Sequence, residues 1–580
     1  MPGSNDGQFP VYRPGVALMG TVPETCREVL LAVADLFFIQ YVEVDTLSDS
    51  RADRCIGVLA FHSYRTKSVW NDAGITEADM PTLVVGLNQY RPRGSGMNAT
   101  EMQWEWDHIH ARSFRISCDE DLFGPLKQSD IDEEDARELA AWKPRACIEP
   151  LITCGDRTIF GRTGRLYFTS VPLPGLSQPF ELSTEFSNRR FMGLLPLFAF
   201  LRKCLGDQMF RPQRIGACCI IDDPNLRFTR YGFLRFGEAV ERAEKLNFHM
   251  AIAMVPIDYG LAGKETVRLF DDKKNVLSGL IHGVNHLREE LLVTPPGIQM
   301  ENLLEKAIWC MNEFTTATNL PWSRAVVPPH EGVNASAVAA MGEKGFEALF
   351  VHPPYALHSI GIRHPLLTMF PSEHGFGELP IVDRLSLEYH YWKNNPGWIN
   401  SFLFHAWLGK PIVPWTHHYM FKRGWDYFED KIKFINNKIN PEWMPIGRLL
   451  NNNFTISVRN DKLYVNLYSR NVLVNIPDNV SKIVISKIGI HEPARSSHLK
   501  VGDIDYTWDR ISDNYVSASI PSPGPMEVEI CTLPHPNVPK NRPRSSDYKA
   551  VFRRRLVEIR DRMRPYIDLG SNPKVYGPYE

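Results

Sequence analysis

Ile220-Ile221-Asp222-Asp223-Pro224-Asn225-Leu226 decides how the middle of this chain is read. Gly216-Ala217-Cys218-Cys219 leads into it, small and apolar, as the inside of a buried strand is. Two adjacent carboxylates then close the run. Like charges side by side repel, and taking either out of water is costly unless a cation receives it. One reading is a helix N-cap with a spare acid beside it, since Asp and Asn both cap helices. The other is a metal or acid–base site at the carboxyl end of a strand.

Further on, His282-Gly283-Val284-Asn285-His286 sets two histidines four positions apart. If the segment is helical, both rings project from one face, close enough to hold one ion. Such a pair is a recurrent zinc-binding device. With Asp222-Asp223 added, two imidazoles and a carboxylate make a three-ligand set that suits Zn2+ and leaves positions open for water and substrate. The adjacent acids then divide the work: one binds the cation, and the other stays ionised to accept a proton from the attacking water.

In order and type these residues resemble the polysaccharide deacetylase superfamily (the NodB homology domain, carbohydrate esterase family 4). The family's TFDDG motif is matched by Ile220 to Pro224, with the threonine replaced and Pro224 where glycine is usual, and its H[ST]xxH motif by His282 to His286, with Gly283 in the second place. The resemblance implies Asp222 as general base and Asp223, His282 and His286 as metal ligands. The RPPYG motif falls at Val326-Val327-Pro328-Pro329-His330-Glu331-Gly332, with Val327 at the arginine position and His330 at the tyrosine position. Arg324, close by in sequence, is the expected replacement for the arginine that orients the base. A backbone amide near His330 is expected to polarise the substrate carbonyl. The last motif falls at Pro411 to Tyr419, making His417 the acid that protonates the leaving amine, with His418 close behind. Asp383 stands nearest to the acidic motif that tunes this histidine. The implied fold is a distorted (β/α) barrel with its site at the carboxyl ends of the strands.

The chain has 580 residues, enough for several domains. Residues 11–210 alternate short apolar strands with helices, one of them opened by Pro23-Glu24 with Val29, Leu30, Val33 and Leu36 at helical spacing. This region resembles a flavodoxin-like or glutamine-amidotransferase-like α/β domain, most of all from Leu166 to Leu205. Cys26, Cys55 and Cys154 lack the glycine-flanked turn of the amidotransferase nucleophile, so the domain is read as a non-catalytic partner that lines a substrate groove. Gln103 to Trp142, acidic and polar, reads as an insertion. Residues 214–450 carry the deacetylase-like domain. From 451 to 533 the period shifts to two, as in Lys462-Leu463-Tyr464-Val465-Asn466-Leu467, which predicts a small antiparallel β-sandwich. The tail, 534–580, is proline-rich and then basic. Its arginines, Arg553 to Arg564, are expected on a solvated helix packed against the rest.

A formal net charge of −2 excludes a global pull on nucleic acid or anionic membranes. Ten scattered cysteines without a CxxC pair argue for reduced thiols rather than a disulfide framework. No secretory leader or membrane-spanning run is legible, so the default expectation is cytoplasmic. The expected fold class is therefore multidomain α/β plus β, and the expected activity is removal of acetyl from an amino-sugar polysaccharide or glycoconjugate. Trp322, Tyr355, Trp392 and Trp415 are candidate stacking surfaces for sugar rings. The rival readings are an amidase for a small N-acyl metabolite and a carbohydrate-binding protein on a decayed deacetylase fold.

Overall fold

The computed structural model describes residues 13–46, 48–61, 80–85, 106–143, 148–174, 181–183, 190–293, 299–352, 355–374, 379–388, 396–478, 480–487, 498–501, 504–506, 509–512, 515–519, 526–531 and 548–567. The chain divides into two compact units. The first holds residues 1–210, 364–369 and 399–407, and the second holds 211–363, 370–398 and 408–580.

In the first unit the strands are β1 (Gly15–Met19), β2 (Gln40–Val44), β3 (Cys55–Phe61), β4 (Thr82–Val85), β5 (Trp106–Ile116), β6 (Asp130–Trp142), β7 (Glu149–Cys154), β8 (Arg157–Thr163) and β9 (Leu166–Thr169). They form one sheet in the order β2-β1-β3-β4-β9-β8-β6-β5-β7. Its β2-to-β9 half is parallel and the remainder antiparallel. The helix Glu24–Phe37 buries Val29, Leu30 and Val33, and Phe37 meets Phe198 of the helix Leu195–Leu205 edge-on at 5.0 Å. The expected insertion is instead two long paired strands, β5 and β6. Phe114, Ile116, Ile131, Leu139 and Trp142 are buried, while Asp130 and Glu138 lie exposed, so an acidic outer face conceals the alternation of an apolar inner one.

The second unit opens with β10 (Gly216–Ala217), β11 (Cys219–Asp222), the small hairpin β12 (Arg230–Tyr231) and β13 (Leu234–Arg235), β14 (Met250–Met254), β15 (Leu277–His282), β16 (Val326–Val327) and β17 (Leu349–Val351). After these come β18 (Glu373–His374), β19 (Pro380–Asp383), β20 (Leu385–Ser386), β21 (Pro414–His417) and β22 (Glu442–Trp443). The main sheet runs β18-β19-β17-β16-β15-β14-β11-β21-β20 and is parallel except for β18. β19 and β20 are consecutive in the chain, separated by Arg384 alone. The Arg384 N–H bonds to Val351 of β17 on one side, and the Leu385 N–H bonds to Val413 beside β21 on the other. One continuous segment therefore joins both ends of the parallel sheet and closes it into a barrel. Cys218, Ile220, Ala251, Leu280, Val327, Phe350 and Val382 are among the fully buried residues of its core. On β14 the core positions are the small Ala251 and Ala253, beside the larger Leu280, Phe350 and Trp415.

Beyond the barrel come β23 (Phe454–Arg459), β24 (Lys462–Leu467), β25 (Asn471–Ile476), β26 (Lys482–Lys487), β27 (His498–Val501), β28 (Ile504–Tyr506), β29 (Asp509–Ser512), β30 (Tyr515–Ser519) and β31 (Met526–Cys531). They make two sheets, β23-β24-β26-β30-β29 and β25-β31-β27-β28. Leu463, Val465 and Ile483 of the first share one apolar cluster with Val472, Val474 and Val528 of the second. The expected all-antiparallel pairing is corrected at β24–β26, which is parallel, because β25 intervenes in the chain and joins the other sheet. The proline-rich start of the tail lies outside the described residues. Its basic part is a helix, Tyr548–Ile567.

Candidate active site and metal centre

β11 ends at Asp222, between β14 and β21, and its register sets Asp222 beside His417, the last residue of β21. No helix starts here: the next one begins at Phe236, so the two acids do not cap a helix. Asp222 is buried, and Asp223 turns outward with φ of 86°. That left-handed backbone is rare without glycine, and His286, His330 and Glu331 share it. Strained residues gathered in one place mark a site whose geometry the surroundings impose.

The histidine pair comes from a strand end and a turn, which corrects the helical expectation. His282 closes β15, and Gly283 follows with φ of 56°. The Glu290 carboxylate is buried and accepts the N–H groups of Val284, Asn285 and His286 on one oxygen, at 2.8, 2.9 and 2.8 Å. This nest of amides bends the chain until His286 faces His282, with ring centroids 4.8 Å apart. Any side chain in place of Gly283 would strike Pro329 and the Glu290 carboxylate, which explains why the second place of the motif holds glycine. Sequence reasoning missed Glu290, because only the folded turn reveals what its carboxylate does.

Asp223 Oδ1 lies 3.2 Å from His286 Nε2 and 3.6 Å from His282 Nε2. The donor atoms of the three residues all fall within 4.8 Å of one another. His282 Nδ1 lies 3.2 Å from the Val327 carbonyl and, as the donor there, leaves Nε2 with its lone pair toward Asp223. Burial and the neighbouring His286 hold the His282 imidazole well below its usual pKa, in the neutral form that ligates a metal. Burial pushes Asp223 up, but the His286 and His282 imidazoles outweigh it and keep the carboxyl well below the usual range. Next to this set, Asp222 Oδ1 is buried and has no hydrogen-bond partner among the described residues, a costly state for a carboxylate oxygen unless a ligand or water meets it. The donor set and this orphaned oxygen fit a divalent cation.

Two supporting residues differ from those expected. Arg324 lies at the amino end of β16, remote from the strand ends that carry the site, and its backbone N–H bonds to Glu347. Arg384, at the barrel seam, holds Asp222 instead: its Nη1 donates to Asp222 Oδ2 at 2.7 Å and its Nη2 to Glu331. The guanidinium is buried and lies 4.3 Å from the Trp415 ring centroid. Burial raises Asp222 above the usual carboxylate range, Arg384 and His417 oppose the shift, and the balance leaves a stronger base.

Asp383 is not the partner of His417. It forms a buried ion pair with Lys410, and burial against that lysine leaves its carboxyl at about 6. Glu388 takes the place: its Oε1 lies 2.6 Å from His417 Nδ1 and 3.0 Å from the His417 backbone nitrogen. Burial would lower His417, but Glu388, with Asp223 and Asp222 further off, pushes it up to about 10. The ring is then an imidazolium, poised to give up a proton. Glu388→Gln removes the nearest negative charge, so the alkaline limb of a pH–rate profile is expected to move down by about 1–2 pH units. A profile of kcat/KM checks this.

His330 packs its ring against His286 at 5.4 Å, at the rim of the site. His418 is buried, between Tyr231 edge-on at 5.3 Å and Phe233 stacked at 6.1 Å, and burial lowers it to about 3. Gly232, with φ of 54°, admits that ring, since a Cβ there would overlap it. His418 is thus a packing residue. Among the candidate stacking aromatics, Trp415 carries Arg384, Trp322 packs on Gly279 and Phe314, and Trp392 lies outside the described residues. The backbone of Tyr355 opens a short helix, Tyr355–Ile360.

The helix Tyr548–Ile567 reaches the same place, which its basic composition did not foretell. Arg554 is buried; its Nη2 donates to the Asp223 carbonyl at 2.7 Å and its Nε to Asp258 at 2.9 Å. The carbonyl of a left-handed residue is thereby tied down.

The chain matches no protein-family model and no curated protein. Among solved structures it is similar to Agd3, described as a novel carbohydrate deacetylase, at 8% identity with 90% of this chain and 99% of that one covered and a TM-score of 0.46. Another is the Xyl-CE4 domain of a multidomain xylanase from the hindgut metagenome of Trinervitermes trinervoides (8% identity, 41% of this chain, 90% of that one, TM-score 0.26). A third is a glutamine amidotransferase from Thermotoga maritima (10% identity, 34% of this chain, 100% of that one, TM-score 0.22). At such distances the case for chemistry rests on the site itself.

Proposed function

We propose that this protein is a metal-dependent deacetylase that hydrolyses the N-acetyl amide of an amino-sugar polysaccharide or glycoconjugate. The observation that carries the reading is one cluster in which a set of two imidazoles and a carboxylate, a base and an acid are each held by a separate partner. Asp223, His282 and His286 would hold the ion, with Zn2+ the best match to two imidazoles and one carboxylate. A bound divalent cation supplies a Lewis acid that polarises the acetyl carbonyl and brings the pKa of water toward neutrality.

Asp222, raised in pKa and fixed by Arg384, takes the proton of the attacking water. His417, held as imidazolium by Glu388, gives a proton to the leaving amine nitrogen. A backbone amide near His330 completes the reading as the oxyanion donor. In the same reading the deacetylase-like barrel is the catalytic domain, and the two C-terminal sheets form a β-sandwich that positions substrate. Cys26, Cys55 and Cys154 are raised in pKa by burial, which disfavours thiolate chemistry at those positions.

The test is acetate release from a panel of N-acetylhexosamine oligomers and small N-acetyl amides by metal-reconstituted protein. Release from the oligomers supports the reading, release from the small amides alone favours the metabolite amidase, and none from any member sinks both. Chelation is expected to abolish release, and added Zn2+ to restore it. His286→Ala is expected to lower metal affinity by about 100-fold or more, read by metal content after dialysis.

A further inference from the structure

The helix Tyr548–Ile567 is amphipathic in the inverted sense. Its polar side chains Arg554, Glu558 and Asp561 are buried against the barrel unit, while its large apolar ones face outward. Among the described residues, seven of the eleven exposed large hydrophobics lie on this helix, with Phe552 66% and Ile559 57% exposed. At 100° per residue, Tyr548, Phe552, Leu556, Ile559, Met563 and Tyr566 fall within an arc of about 80°. Lys549, Arg553 and Arg560 border this stripe on one side; on the other, Arg555 is partly exposed, while Arg562 turns inward to Glu558, Asn225 and the Arg230 carbonyl. The segment holds seven basic residues and two acidic ones, and both acids are buried.

From Phe552 to Tyr566 the apolar spacing is four, three, four, three, which is also the seam of a coiled coil. Charge decides between the occupants. In a paired copy of this helix, the positions flanking the seam are Arg553, Arg555, Arg560 and Arg562, so either orientation sets arginine against arginine. An apolar stripe bordered by the exposed Lys549, Arg553 and Arg560 instead matches a lipid surface of negative charge, with the ring and aliphatic groups entering the acyl boundary and these cations meeting phosphates. The inward anchors, Arg554 to Asp258 and Tyr231 Oη to Asp561 at 3.1 Å, hold the helix so that this face stays outward. We propose that the helix is a peripheral docking face for an anionic lipid bilayer, and that the protein works while bound to such a surface. The whole-chain charge of −2 conceals a local basic patch.

The experiment is co-sedimentation of the full chain with vesicles of phosphatidylcholine alone or with about one-third phosphatidylserine. Binding is expected on the anionic vesicles, weak on the neutral ones and weakened by salt. Phe552→Ser with Ile559→Ser is expected to reduce it by about tenfold or more, at an unchanged melting temperature. Arg553→Glu with Arg560→Glu is expected to do the same, so two kinds of substitution read one face. No sedimentation with anionic vesicles, or full binding by both double variants, overturns the proposal. So does a concentration-dependent dimer in sedimentation velocity that Phe552→Ser abolishes, which would assign the face to a second copy.

Discussion

Arg384→Met is expected to destabilise the barrel unit by about 3–5 kcal/mol, because it leaves the buried Asp222 carboxylate and the partly buried Glu331 without their shared cation. The guanidinium is desolvated and accepted by both, and it stacks on Trp415, so methionine restores volume but no charge. Adding Glu331→Gln is expected to recover part of the loss, since one of the two unpaired charges is then gone. The pH dependence distinguishes this cause from simple misfit. Without Arg384, burial lifts the folded-state pKa of Asp222 further above its unfolded value, so the folded state holds the proton more tightly. Stability then falls as pH rises through that interval, and the deficit shrinks on acidification. Urea unfolding at two pH values reads both effects. A deficit that stays constant with pH assigns the loss to packing.

Asp222→Asn is expected to lower kcat by about a thousandfold, with metal content and melting temperature close to wild type. The amide keeps the shape of the side chain and can still accept from Arg384, but it cannot take a proton. The loss should fall on kcat more than on KM, since Asp222 acts on the water rather than on the sugar. An equal loss in Asp222→Asn and in a variant lacking the metal ligands, with no residual metal in either, would instead place Asp222 in the ligand set.

The grouping of Asp223, His282 and His286 was legible in the sequence because its chemistry is stated by residue type and spacing. Two acids at a strand end and two histidines four apart have few bland explanations in common. What holds them was not legible. Arg384 reaches Asp222 only because residues 380–386 close the barrel, pairing β17 on one side and β21 on the other. Sequence proximity pointed to Arg324 instead, at the wrong end of its strand. Glu388 was hidden in the same way, since it meets His417 across the seam rather than along the chain. The helical reading of His282 to His286 failed because a carboxylate six residues beyond Val284 gathers the turn's amides, a non-local choice that propensity does not encode. β5 and β6 were concealed by their acidic outer face.

The same residues bear on the decayed-fold alternative. A site with no further use would not be expected to keep a buried guanidinium on Asp222 and a carboxylate on His417. Here both positions are filled from outside the motifs. Val327 brings no charge and Asp383 is engaged by Lys410, while Arg384 and Glu388 bring a cation to Asp222 and a carboxylate to His417 from other elements.

The most direct measurement of the central claim is acetate released per bound metal, determined on one preparation of wild type and one of Asp222→Asn, with an N-acetylhexosamine oligomer as substrate. The account predicts steady turnover by wild type at full metal occupancy, and near-complete loss in the variant at the same occupancy. Full occupancy in both, with no acetate from either, would contradict it and leave a binding protein on a deacetylase-like barrel.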